Sequence, residues 1–310
     1  MRQNLVIITS FTFGMSLFGL FGCDNGRNIS AICKNNPEIC ADLHKDGWCL
    51  AEKTKLIQNR YELKDNENPT GKQLYLQLTY LEDYSRCIEL ASGVQHIIHT
   101  NRTADRARAF RLSTQNLSLL QDQTRERQDP FMSYYQWTRF GDTAALNRLL
   151  EHENAGEVTD PFLLAQVATY YSNRNAIKAQ QLYLKVFAEI QYDDFDVNWL
   201  LGLASAYRQQ QLFDKAYMLT KANLLLTQQK YSEEKMLALL GGNKTLATEL
   251  DLKAQALIDA LKNGTYPQSP VRQWLDPQAV DKAPTATEAV PPALVEETDS
   301  ATDGKMFAIL

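Results

Sequence analysis

The 310-residue sequence lacks the common templates for catalysis. His152-Glu153-Asn154-Ala155-Gly156 opens like a zinc-peptidase HExxH but has no second histidine, so two imidazoles cannot share a helix face. Gly241-Gly242-Asn243-Lys244-Thr245 ends like a phosphate-binding loop, yet no glycine immediately precedes Lys244 and the run before it is helical in pattern. It reads better as one helix stopping and Thr245 capping the next. There is no Gly-x-Ser-x-Gly elbow and no CxxC pair. His96 and His99 lie one turn apart on an expected helix, but two ligands do not make a metal site. These absences leave no catalytic residue, cofactor, metal or small-molecule substrate to name. A basic surface is missing too: the net charge of -5 arises from the acidic stretch after Asp276, the body is close to neutral, and nucleic acid is excluded as a partner.

The chain also lacks an uninterrupted hydrophobic span. After Arg2, the apolar runs Leu5–Ile8 and Phe11–Phe21 are broken by Thr and Ser, which suits a secretory signal over residues 1–22 better than a bilayer-crossing helix. It ends Leu20-Phe21-Gly22-Cys23, which resembles the lipobox of bacterial lipoproteins. That resemblance implies acylation of Cys23 and a membrane anchor facing the periplasm, followed by a tether over residues 23–32. The alternatives are an uncleaved anchor, or ordinary cleavage that leaves Cys23 a plain thiol. Asp24 resembles the inner-membrane retention signal of enteric bacteria, which favours the inner over the outer membrane.

Cys33, Cys40, Cys49 and Cys87 remain, an even number suited to an oxidising compartment. Trp48–Leu63 and Gln73–Leu90 both carry apolar residues at helical spacing, and the turn between them centres on Asn68. An antiparallel hairpin about Asn68 sets position 49 opposite 87. The pairing expected is therefore Cys49–Cys87, with Cys33–Cys40 closing a short loop over Asn36-Pro37-Glu38; reduced thiols or a metal site are the alternatives. Helix is expected to continue to His99, and again from Thr103 to about Arg127. Arg102, Arg106, Arg108 and Arg111 form the one basic cluster, read as solvated arginines pairing with local carboxylates; the alternative is a patch that leans on anionic lipid headgroups near the anchor.

What is present is a repeat. Leu163, Tyr170, Ala179 and Tyr183 recur as Leu200, Tyr207, Ala216 and Thr220, each 37 residues on. With Leu203, Ala204 and Phe213 these positions resemble tetratricopeptide-like and Sel1-like helical repeats, which implies that they pack helix against helix. The fold expected is all-α: a disulfide-linked helical region over residues 33–128, a short α-solenoid over 129–264, and an acidic Pro/Ala/Thr-rich disordered tail over 265–310. The pattern from Cys33-Lys34-Asn35-Asn36-Pro37-Glu38-Ile39-Cys40 through Asp46-Gly47-Trp48-Cys49 into helical repeats resembles a gammaproteobacterial lipoprotein family defined by a domain of unknown function. The function expected is a non-enzymatic, lipid-anchored periplasmic scaffold that binds protein partners. The alternatives are an envelope hydrolase built on His96 or His99 with Asp83 and Glu89, or a purely structural lipoprotein.

Overall fold

A computed structural model of the chain describes residues 28–277; Cys23, the signal segment and the acidic tail beyond Pro277 lie outside the described residues. The described residues are helical with no strand. They belong to two compact units that divide after Thr159. Helix starts follow local chemistry: the side chains of Asp129, Asp142, Asp160, Asn175, Asn243 and Ser269 each accept a hydrogen bond from a first-turn amide. Asn243, not Thr245, is thus the cap of the helix after Gly242.

In the first unit, α1 (Ile29–Asn35) and α2 (Pro37–Cys40) cover a bundle of α3 (Leu50–Leu63), α4 (Gly71–Ser92) and α5 (Thr100–Thr124). Its core is Leu56, Ile57, Leu81, Tyr84, Ile88, Ala91 and Ala109, with Ile32 and Ile39 from the covering helices. The hairpin of α6 (Pro130–Phe140) and α7 (Thr143–Asn154) packs on α4 through Met132 and Tyr135, against Leu74 and Leu78. It belongs to this unit and not with the helical hairpins that follow, with which residues 129–159 were expected to group. Cys33 bonds Cys40 and Cys49 bonds Cys87, the pairing expected from the hairpin register. One expectation fails: α4 stops at Ser92, and residues 93–99 are not helical. Val94, Ile97 and Ile98 continue the apolar pattern, but all three are exposed. With no burial to reward the helix, Gly93 ends it.

In the second unit, α8 (Pro161–Tyr171) and α9 (Ala176–Glu189) form one hairpin, and α10 (Asn198–Gln209) and α11 (Phe213–Thr227) form the next. After short α12 (Glu233–Ala238), α13 (Lys244–Lys262) lays Leu250, Ala254, Leu257 and Leu261 inward and packs on α11. Residues 265–277 are folded, contrary to their assignment to the tail. Tyr266 is buried with its ring 5.9 Å from Phe187. Short α14 (Pro270–Leu275) follows, and its Leu275 carbonyl accepts from Tyr207 Oη at 2.6 Å and Lys215 Nζ at 3.1 Å. Composition hid this segment because a few buried residues, not a periodic stripe, hold it.

Gly202 marks the closest approach of α9 and α10. A Cβ there would run into the Tyr183 hydroxyl and ring, and that side chain is buried with Oη 2.9 Å from Thr169 Oγ1. We expect Gly202→Ala to lower unfolding stability by about 1–3 kcal/mol through overpacking. Urea unfolding checks this, and an unchanged midpoint would mean that the two helices separate freely.

Candidate functional site

The densest polar chemistry lies where the chain runs from α2 to α3. Residues 41–49 have no regular helical ladder, so their backbone groups need side-chain partners. His44 is 3% exposed. Its Nε2 lies 2.8 Å from the Trp48 carbonyl and its Nδ1 2.9 Å from Tyr84 Oη, which also accepts the His44 backbone N–H at 3.1 Å. A carbonyl only accepts, so the ring proton sits on Nε2, and Tyr84 donates to Nδ1. Both ring nitrogens are used in this arrangement, and burial with the Lys53 charge favours the neutral ring.

The rest of the loop is held the same way. Lys53 Nζ donates to the carbonyls of Asp46 at 2.7 Å and His44 at 3.3 Å. Arg106 is buried: its Nε donates to Asp46 Oδ2 at 2.8 Å and its other arm to the Ala91 carbonyl at 3.3 Å, while the guanidinium lies 4.9 Å from the Trp48 ring centre. Arg108 reaches the carbonyls of Ala41 and Leu43 and pairs with Asp105. The basic cluster does pair with local carboxylates, Arg106 with Asp46 and Arg108 with Asp105, but it is solvated only in part. Arg106 is a buried strut, Arg108 is partly buried, and Arg102 and Arg111 are exposed, Arg111 bonding Gln115. This clasp has no spare nucleophile or base; its chemistry is spent on holding backbone.

The other residues singled out in the sequence do not converge. His96 and His99 lie in the non-helical segment, and His96 contributes its backbone N–H to Thr103 Oγ1. Among the described residues, the one group of three metal-competent side chains brought together is Cys49, Glu52 and Cys87, and its two sulfurs are bonded to each other. A concavity of about 460 Å³ beside this disulfide is lined by Glu52, Lys55, Tyr80, Asp83, Arg86 and Leu90. A second, of about 330 Å³, lies over Met132, Tyr135 and Phe140; there Tyr135 Oη donates to Glu82 at 2.6 Å and accepts from Gln121. His152, from the HExxH-like run, meets the Gln128 carbonyl and Glu157, a tie between two loops.

These two histidines titrate in opposite directions. Burial and the Lys53 charge push His44 below its ordinary 6.5, against the Trp48 hydrogen bond and the Asp46 charge. Burial would also depress His152, but its bonds to Glu157 and the Gln128 carbonyl, with the Glu157 charge, raise it overall. Stability from neutral His44 is present above about pH 6.5 and lost as the pH falls from there toward its lower folded pKa. Stability from charged His152 is present below about pH 6.5 and lost as the pH rises through its raised folded pKa. We expect His152→Asn to remove the alkaline loss and leave the acid loss intact. Imidazole NMR titration with unfolding curves from pH 5 to 8 checks both.

The repeat positions form the other candidate region. Leu163, Ala179, Tyr183, Leu200, Leu203, Ala204, Tyr207 and Ala216 are buried. Phe213, the first residue of α11, is 42% exposed, and Tyr170, in the last turn of α8, is half-buried with the Arg174 guanidinium 4.2 Å from its ring centre. Cover from another segment decides this: Tyr207, the equivalent of Tyr170 in the last turn of α10, is buried with its hydroxyl on the Leu275 carbonyl. The two hairpins meet one period apart: the Gln209 side-chain amide donates to the carbonyl of Ser172, 37 residues earlier. On α10, Asn198, Leu201, Ser205 and Arg208 make a stripe at helical spacing directed away from this core.

A family model described as a protein of unknown function, DUF2989, matches residues 20–221. The chain belongs to the DUF2989 family. The DUF2989 match takes in the clasp, both disulfides and the α8–α9 hairpin, and ends within α11. Searches of curated proteins and of solved structures each returned no match. No described helix is long and apolar enough to cross a membrane.

Proposed function

We propose that this DUF2989 protein is a lipid-anchored, non-catalytic scaffold of the bacterial envelope that holds a protein partner on its helical hairpins. The observation that carries the reading is the stacking of α8–α9 on α10–α11 in the register of the 37-residue echo, an arrangement that tetratricopeptide-like proteins use to present binding surfaces. The lipobox-like end at Cys23, outside the described residues, supports the anchor. Two disulfides in the amino-terminal unit suit the periplasm, and Asp24 favours the inner membrane. The docking surface proposed is the α10 stripe of Asn198, Leu201, Ser205 and Arg208.

Crosslinked capture from membranes tests this, with the intact chain compared against Leu201→Arg combined with Arg208→Glu. Both side chains are exposed, so the variant keeps its fold, which circular dichroism verifies. One reproducible partner set, lost in the variant, is the expected result. Capture that is indifferent to both changes would remove the stripe as a docking surface. A Cys23→Ser chain released from membranes, against one still retained, separately tests the anchor.

A further inference from the structure

One end of the first unit carries an apolar tip. Ile97 and Ile98 are 94% and 87% exposed and Leu90 is 75% exposed, the three highest values among the large hydrophobic side chains described; Leu50, Trp48 and Val94 are also exposed. Trp48 and Leu50 flank Cys49 at the start of α3, Leu90 is in the last turn of α4, and Val94, Ile97 and Ile98 stand on the link from α4 to α5, all at one end of the bundle. The Cys49–Cys87 bond ties the start of α3 to α4, Ala51 and Leu90 line one concavity, and Arg106 of α5 joins Trp48 to the Ala91 carbonyl. Large apolar side chains left exposed together at one end of a bundle are the raw material of an interaction surface.

Its surroundings favour an anionic lipid surface. Asp46 and Asp105 are already matched by Arg106 and Arg108. On the helices, Arg86 lies 4.0 Å from Asp83 and three residues from Glu89, and Lys55 lies three residues from Glu52. Lys45 and Arg102 are exposed and line a concavity with Asp46 and Asp105, as the cations in excess there. The opposite end of the α3–α4 hairpin presents exposed Asp65 and Glu67 instead. Aliphatic side chains at the apex, a tryptophan at the margin and cations around it are the pattern of an interfacial membrane contact.

We propose that Leu90, Val94, Ile97 and Ile98 enter the headgroup and upper acyl region of an anionic bilayer, with Trp48 at the interface and Lys45 and Arg102 against lipid phosphates. This rests on the anchored reading for the presence of a nearby bilayer. Asn28 follows Cys23 by five residues, a reach of about 17 Å. It lies beside Tyr61 and Lys64, at the far end of α3 from the tip, and the helix is about 21 Å long. Anchor and tip therefore touch one membrane only with the bundle tilted away from the membrane normal, so the two contacts together restrict its orientation.

The test places a photoreactive benzoylphenylalanine at Ile98 in the full-length chain. It is irradiated in native membranes and after reconstitution into vesicles of phosphatidylethanolamine with phosphatidylglycerol, and the mass of the Cys23 peptide is measured in parallel. Phospholipid adducts at position 98 are expected. Lys45→Glu with Arg102→Glu should cut their yield at least about fivefold, because one cation near an anionic surface is worth roughly that factor. Adducts to a protein, or none, overturn the proposal. Acylated Cys23 without lipid adducts removes the tip and keeps the anchor, whereas adducts without acylation keep the tip and remove the anchor.

Discussion

Replacing Cys49 and Cys87 together by serine is expected to lower the unfolding free energy of the first unit by about 4 kcal/mol, and replacing Cys33 and Cys40 by about 2 kcal/mol. The difference comes from the unfolded chain. Cys49 and Cys87 are 38 residues apart and Cys33 and Cys40 only 7, so the first bond removes more freedom from the open state. The longer bridge also has local work. Cys49 precedes α3 in a left-handed backbone conformation at φ 50°, unusual for a side-chain-bearing residue, and its carbonyl accepts the first-turn amide of Lys53. Guanidinium unfolding of the two double variants against the parent, followed by a probe within residues 28–159, reads the ordering. Equal losses would mean that the bridges act through native strain or packing, and the loop-closure account would fail.

Arg106→Ala is expected to cost about 3 kcal/mol, the scale for removing one partner of a buried ion pair. The Arg106 side chain is 3% exposed and Asp46 is 15% exposed, so the carboxylate left behind keeps some water and the loss stays at the lower end of that scale. The same substitution orphans the Ala91 carbonyl and removes the cation from the Trp48 face. Arg106→Lys should recover little, because one ammonium cannot reach the carboxylate and the carbonyl while lying over the ring. Asp46→Asn in the Arg106→Ala background should restore part of the loss, since the uncompensated charge is then gone. A double-mutant cycle by thermal or urea unfolding checks this. A coupling near zero would sink the view that these two side chains clasp the loop as a pair.

Much of the fold was legible in the sequence because it is written locally. Asp-Pro pairs at 129 and 160 mark helix starts, and both do so in the structure. Apolar spacing located α3 and α5 and the start of α4 to within a few residues, and the hairpin turn at Asn68 was enough to pair Cys49 with Cys87. The same spacing misled at Val94, Ile97 and Ile98. Periodicity records which side chains are apolar but not whether anything covers them. The clasp was invisible for a related reason. His44 and Asp46 lie on the loop, Tyr84 on α4 and Arg106 on α5, and a lone tyrosine or arginine in a helical run carries no sign that it faces a loop. Asp46-Gly47-Trp48-Cys49 was noticed only as part of a family pattern.

The sequence by itself determined the helical class, the two-cysteine-pair logic, the 37-residue echo and the absence of a familiar catalytic motif, because each follows from spacing along one chain. Tertiary structure alone decided which arginines are struts and which face water, that residues 265–277 fold back on α9 and α10, and that an apolar end stands uncovered. Those outcomes depend on which surfaces meet, and burial is a property of two segments at once.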